Sequence, residues 1–295
     1  MDGWKRDRPI LTEIRPSPHP RSAVSRIHPH GPDLPLTSRP FRLLACLLGC
    51  LGSLGAHDFW IEASRHQVKP GLGVALRLRV GTGFQGEAVP RNPALIQRFA
   101  VAGPGQEIPA LGAEGSDPAG LARIEGPGLH WAVYQSAYSA VELEGPKFEA
   151  YLAEEGLDAV SAARRKQGET AKPARDRFMR CAKSLLDAGG PGAAGFDRVL
   201  GLELELVPES DPRSADADLR LRLLYRGRPL PGALVQLQRR GAPVPVQART
   251  DRAGRVKLPC RGAGLWLAKA VHAVRSESPV ADWQSAWASL TFEAR

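Results

Sequence analysis

Apolar and charged side chains alternate almost residue by residue along Val74–Val80 (VALRLRV). The same two-residue period returns at Leu202–Val207 (LELELV) and Asp218–Tyr225. That period belongs to a strand with one buried face, because successive side chains leave a strand on opposite sides. The 26 prolines and 31 glycines among 295 residues supply turns between such runs and disfavour long helices. The chain is therefore expected to be mainly β.

Further strand-like runs lie at Asp58–Glu62, Ile96–Ala102, His130–Gln135 and Ala140–Leu143, and Pro70-Gly71 marks a turn. Between 147 and 188 the period changes. Phe148, Tyr151 and Leu152 recur at helical spacing, and so do Phe178, Cys181, Ala182, Leu185 and Leu186. Two or three amphipathic helices are expected there, the last ended by Gly189-Gly190-Pro191-Gly192. Pro208–Ala217 reads as a polar linker. Beyond it, the turn and strand Gly227–Val235, the tight turn Thr250–Arg255, and the runs Val256–Leu258, Leu265–Val274 and Ser289–Phe292 bring the count to about seven strands. The fold class expected is two immunoglobulin-like β-sandwich domains, 57–208 with a helical insert at 147–188, and 209–295.

The start of the chain reads differently. Residues 1–40 are rich in Pro, Arg, His and Ser, the composition of a disordered leader or of a start codon assigned too far upstream. Arg39 and Arg42 then precede the apolar Leu43–Leu54 and the small Ser53, Gly55 and Ala56, so 41–56 is expected to be a secretory signal. It is shorter than the roughly 20 apolar residues a membrane span needs. The mature protein is thus expected in the periplasm with no direct membrane span, or tethered by lipid on Cys50, since Leu47-Leu48-Gly49-Cys50 approximates a lipobox. Of the net charge of +9, the first 55 residues hold eight basic and four acidic groups. No basic and aromatic residues interleave in the body, so no nucleic-acid partner is expected. Cys181 and Cys260 remain after export, either paired or as two separate buried thiols.

Four histidines also remain: His57, His66, His130 and His272. There is no HExxH, no CxxC and no nucleophile elbow, and no catalytic role is expected. Gly81-Thr82-Gly83-Phe84-Gln85-Gly86 matches GxGxxG only formally, because Pro90 and Pro93 deny it the helix that phosphate binding requires. His57 is singled out by processing. Cleavage after Gly55 leaves Ala56 first, and the new amine, the His57 amide and its imidazole then form a three-nitrogen chelate. Cleavage after Ala56 leaves His57 first, and amine and imidazole chelate within one residue. Nitrogen donors in this arrangement suit Ni²⁺ or Cu²⁺. Asp58 adds an oxygen or orients the imidazole, and His272 is the remote partner considered. Against this stands the plain reading that His57 opens a strand anchored by Phe59 and Trp60.

Four segments carry a family resemblance: Ala56–Trp60 (AHDFW), Phe148–Leu157 (FEAYLAEEGL), Leu204–Pro208 (LELVP) and Asp282–Phe292 (DWQSAWASLTF). Through them the chain resembles, over roughly residues 55–293, the periplasmic proteins grouped as domain of unknown function 4198. It departs from that pattern at Phe178–Lys183, where a tyrosine-rich version is expected. The second half is also similar to carboxypeptidase regulatory-like sandwiches, which are scaffolds. The resemblance implies nickel or cobalt uptake, with membrane metal-transporter components as partners and a divalent transition metal (Ni, Co or Cu) bound. The alternative is a structural or adhesive module that binds a protein or glycan. A copper-brace oxidase is a third reading and requires His57 as the first residue.

Overall fold

Each strand-like run named above coincides with a strand in the computed structural model, which describes residues 58–190 and 194–295. The leader, the signal segment, Cys46, Cys50 and His57 lie outside the described residues. In chain order the strands are β1 (Asp58–Ala63), β2 (Gly73–Thr82), β3 (Gln85–Val89), β4 (Ile96–Ala102), β5 (Glu107–Pro109), β6 (Gly120–Arg123), β7 (Leu129–Ser136) and β8 (Ser139–Leu143). Two helices follow, α1 (Gly145–Glu154) and α2 (Asp158–Lys166). Then come β9 (Ala174–Asp187), β10 (Leu204–Pro208), β11 (Ala217–Tyr225), β12 (Arg228–Pro229), β13 (Leu234–Arg239), β14 (Val246–Arg249), β15 (Arg255–Cys260), β16 (Gly264–Arg275) and β17 (Trp283–Ala294).

The strands form three sheets. The central one has the order β14-β13-β16-β17-β9-β7-β4-β5, with β8 also paired to β9. It spans both halves of the sequence, joined where β17 runs parallel to β9 from Trp283↔Asp176 to Thr291↔Ser184. A sheet of β1, β2, β3 and β6 packs on one face, through Phe59, Ile61, Leu76 and Leu78 against Phe99, Tyr134, Ala182 and Leu186. A sheet of β10, β11, β12 and β15 covers the other face, through Leu204, Leu221 and Leu258 against Trp131, Cys181, Trp266 and Leu290. The separation at 208/209 expected from sequence therefore falls inside one hairpin. β10 pairs directly with β11, so the polar stretch Pro208–Ala217 is the loop of that hairpin and not a linker between bodies.

The helical reading needs a second correction. Helix α1 buries Phe148, Tyr151 and Leu152 as expected, but Phe178–Leu186 lies in strand β9. Covered on both faces, β9 presents Met179, Cys181 and Leu185 to one layer and Ala182 and Leu186 to the other. A strand buried on both sides carries a nearly continuous apolar run, which spacing alone does not separate from a helix. The GxGxxG segment is the β2–β3 hairpin turn. Gly83 and Phe84 both have positive φ, 64° and 60°, as a two-residue turn of the twist-matched type requires. Cys181 and Cys260 are free, buried thiols.

Candidate functional site at the head of the first strand

Strand β1 is fastened by its apolar residues. Phe59 packs on Tyr134 with ring centroids 5.2 Å apart, and Trp60 meets Phe84 edge-on at 5.5 Å. This packing draws Asp58 inside, where it is 5% exposed. Its Oδ1 lies 2.6 Å from Nζ of Lys269 on β16, and the same ammonium reaches Oε1 of Glu155 at 3.0 Å. Glu155 follows α1 directly and is also buried. One cation thus joins β1, the central sheet and the helices. Burial pushes the Glu155 carboxyl up to about 7, against the pull of Lys269. Burial opposes the Lys269 charge as well, but Glu155 and Asp58 outweigh it and hold its pKa above the ordinary value.

A second polar group lies on the same face of the central sheet, beside α1. Ser285 Oγ donates to Asp176 Oδ2 at 2.6 Å and accepts from Trp287 Nε1 at 3.2 Å. Tyr151 of α1 stacks on Trp287 at 5.4 Å with the rings 8° from parallel. Asp176 Oδ1 is buried without a hydrogen-bond partner among the described residues. Burial pushes this carboxyl up to about 7, against the hydrogen bonds from Ser285. An unfolded aspartate titrates near 4, so the folded state holds a proton that the unfolded state releases between roughly pH 4 and 7. Asp176 therefore makes stability fall as pH rises through that window. Asp176→Asn is expected to flatten the fall and to raise the melting temperature at pH 8 by a few degrees. Melts at pH 4, 6 and 8 check this, and an unchanged slope would show that Asp176 does not titrate there.

The residues singled out by sequence do not all meet. Asp58 is in the cluster just described, and His57, one peptide bond before it, lies outside the described residues. His272 is on β16 three residues beyond Lys269, so it leaves the strand on the opposite face. There it packs edge-on against Tyr225 of β11 at 4.5 Å. Asp58 and His272 therefore share no site. His66 Nδ1 lies 2.8 Å from the Leu185 carbonyl and His130 Nε2 lies 3.2 Å from that of Gly126, so both rings are held by backbone. Among the described residues no three His, Cys, Asp or Glu side chains gather as a metal cluster. Of the adjoining Glu154 and Glu155, only Glu155 turns inward.

Sequence reasoning missed Lys269, Glu155, Asp176 and Arg180. Three of them sit on strands, where a single charge reads as a solvated face. The available signal was the parity of β9: Asp176, Phe178, Arg180, Ala182 and Ser184 alternate with the residues facing the other layer.

Solved structures with some likeness to the chain include a D0-D1 domain structure of intimin. It is 11% identical, covers 80% of this chain and 99% of that one, and gives a TM-score of 0.19. Three N-terminal domains of the highly immunogenic outer capsid protein of bacteriophage RB49 are 13% identical over 80% of this chain and 59% of that one, with a TM-score of 0.18. A Salmonella alpha-2-macroglobulin variant is 12% identical over 81% and 15%, with a TM-score of 0.17. At these scores none of the three bears on the architecture or role of this chain. No curated protein matches it. The family model described as Domain of unknown function (DUF4198) matches residues 54–274, so the chain belongs to that family.

Proposed function

We propose that the protein is an exported binding protein for a divalent transition metal, nickel or cobalt, which it captures at the head of β1 and passes to membrane transporter components. The donors are the nitrogens that processing creates around His57: the new amine, the backbone amide and the imidazole. One observation carries the reading. Asp58, joined to His57 by a single peptide bond, is buried and tied to Lys269 at 2.6 Å. A ligand one peptide bond from a fixed residue loses less freedom on binding, and preorganisation of this kind favours affinity. Because the Asp58 carboxylate is committed to Lys269, its role is to orient the neighbouring residue from outside the metal's donor set.

The experiment is a calorimetric titration of the processed protein with Ni²⁺, Co²⁺ and Cu²⁺, alongside mass spectrometry of its N-terminus. His57→Ala is expected to weaken nickel binding at least about a hundredfold, the upper range seen even for residues that merely support metal ligands. Unchanged affinity in this variant removes the site. A mature chain that still carries Leu43–Leu54 removes the amine donor.

A further inference from the structure

The buried cations on and around the central sheet come with carboxylates. Arg164 has Glu149 at 2.6 Å, Lys183 has Glu205 at 3.0 Å, and Lys269 has Asp58 and Glu155. Arg180 is the exception. Its guanidinium takes part in none of the hydrogen bonds or ion pairs among the described residues, and Nη1 is sealed from solvent without a partner. Two rings flank it, Phe59 at 4.9 Å and Phe178 at 5.3 Å from the guanidinium carbon. Such contacts contribute about 0.5–2 kcal/mol each, whereas withdrawing an ion from water costs several kcal/mol. Burial accordingly pulls this guanidinium down to about 10, against Tyr134 and Asp58. Arg180 as a whole residue is half-buried.

Its position is informative. Phe59, over which Arg180 lies, follows Asp58 directly, and Trp287 is the Cα partner of Arg180 on β17. The unneutralised charge therefore faces the head of β1. A guanidinium presents two parallel N–H groups in a plane, which match a carboxylate.

We infer that Arg180 anchors a carboxylate of the ligand, so that the species taken at the head of β1 is a small carboxylate that accompanies the metal as its chelator. The metal part rests on the function proposed above, but the carboxylate part does not. Citrate is the probe. Wild type, Arg180→Gln, Arg180→Lys and His57→Ala of the full chain are titrated calorimetrically with citrate alone, Ni²⁺ alone and equimolar Ni²⁺–citrate. Arg180→Gln is expected to weaken citrate and Ni²⁺–citrate by about tenfold or more and to leave free Ni²⁺ within about twofold. Arg180→Lys, with a charge but no fork, falls between. His57→Ala is expected to leave citrate alone unchanged.

The melting temperature of Arg180→Gln supplies a control. Removing a buried charge that has no partner leaves it equal to wild type or higher. A lowered melting temperature with undiminished citrate affinity would assign Arg180 to the scaffold and overturn the inference. Failure of wild type to bind citrate, with or without nickel, overturns it too. If citrate binds through Arg180 but nickel does not bind at all, the metal reading falls and the carboxylate site stands.

Discussion

Glu205→Ala is expected to remove about 3–5 kcal/mol of folding stability, the range for breaking one partner of a buried ion pair. Glu205 and Lys183 are each 1% exposed and meet at 3.0 Å. Glu205 also accepts the backbone N–H groups of Leu200 and Gly201 at 2.8 Å and of Leu202 at 3.3 Å. The alanine variant therefore strands an ammonium and three amide donors together, with the ring of Trp131, 4.6 Å away, facing the lysine. Burial already lowers the Lys183 pKa, and Glu205 opposes that fall, so the variant lysine sheds its proton more readily still. A double variant, Lys183→Met with Glu205→Leu, is expected to recover part of the loss. The charge penalty disappears, but the amides remain unsatisfied. Urea unfolding checks both. The midpoint drops in Glu205→Ala at constant slope, and a wild-type midpoint in that variant would rule out a stabilising role for the carboxylate.

Lys269→Ala is expected to be comparably severe, about 3–5 kcal/mol at pH 8, because it leaves Asp58 and Glu155 buried without their shared cation. Its signature lies in the pH dependence. The folded pKa of Glu155 already stands near 7 with Lys269 present, and removal of the ammonium raises it further. The folded variant then binds protons that the unfolded chain releases above roughly pH 4, so its stability climbs as pH falls from 8 to 5. The difference in melting temperature between wild type and Lys269→Ala should shrink over that interval. A difference that stays constant from pH 8 to pH 5 would mean that the two carboxylates do not depend on this lysine.

These two clusters also mark how far the sequence could be read. The strands were legible because a half-buried strand forces the period seen in VALRLRV, and α1 because Phe148, Tyr151 and Leu152 form one apolar stripe. Strand β9 was not. Lys183 interrupts its alternation on one face and Arg180 on the other, and the small and apolar residues between them let Phe178–Leu186 imitate helical spacing. Which strands adjoin was also hidden. Nothing local in Asp176–Ser184 or Trp283–Thr291 records that the two segments pair. Of the site, Asp58 was legible as the neighbour of His57. Lys269 and Arg180 were not, because a charge on a strand is read as solvated unless both faces of the sheet are known to be covered. The sequence alone holds no position for Asp58 against which His272 can be set. Once Lys269 marks the face that Asp58 occupies, strand parity alone places His272 on the other.

The parallel junction of β9 and β17 also bears on how the molecule forms. Asp176 pairs with Trp283 and Ser184 with Thr291, positions 107 residues apart. No shorter N-terminal portion contains the middle of the central sheet, so β9 keeps a bare edge until the last strand arrives. Closing so long a loop delays any reward from pairing, and non-local β pairing of this kind folds slowly. During that delay the unpaired edge of β9, rich in apolar side chains, is open to association with other chains. Strand β17, the last of the described strands, is the one that seals the sheet.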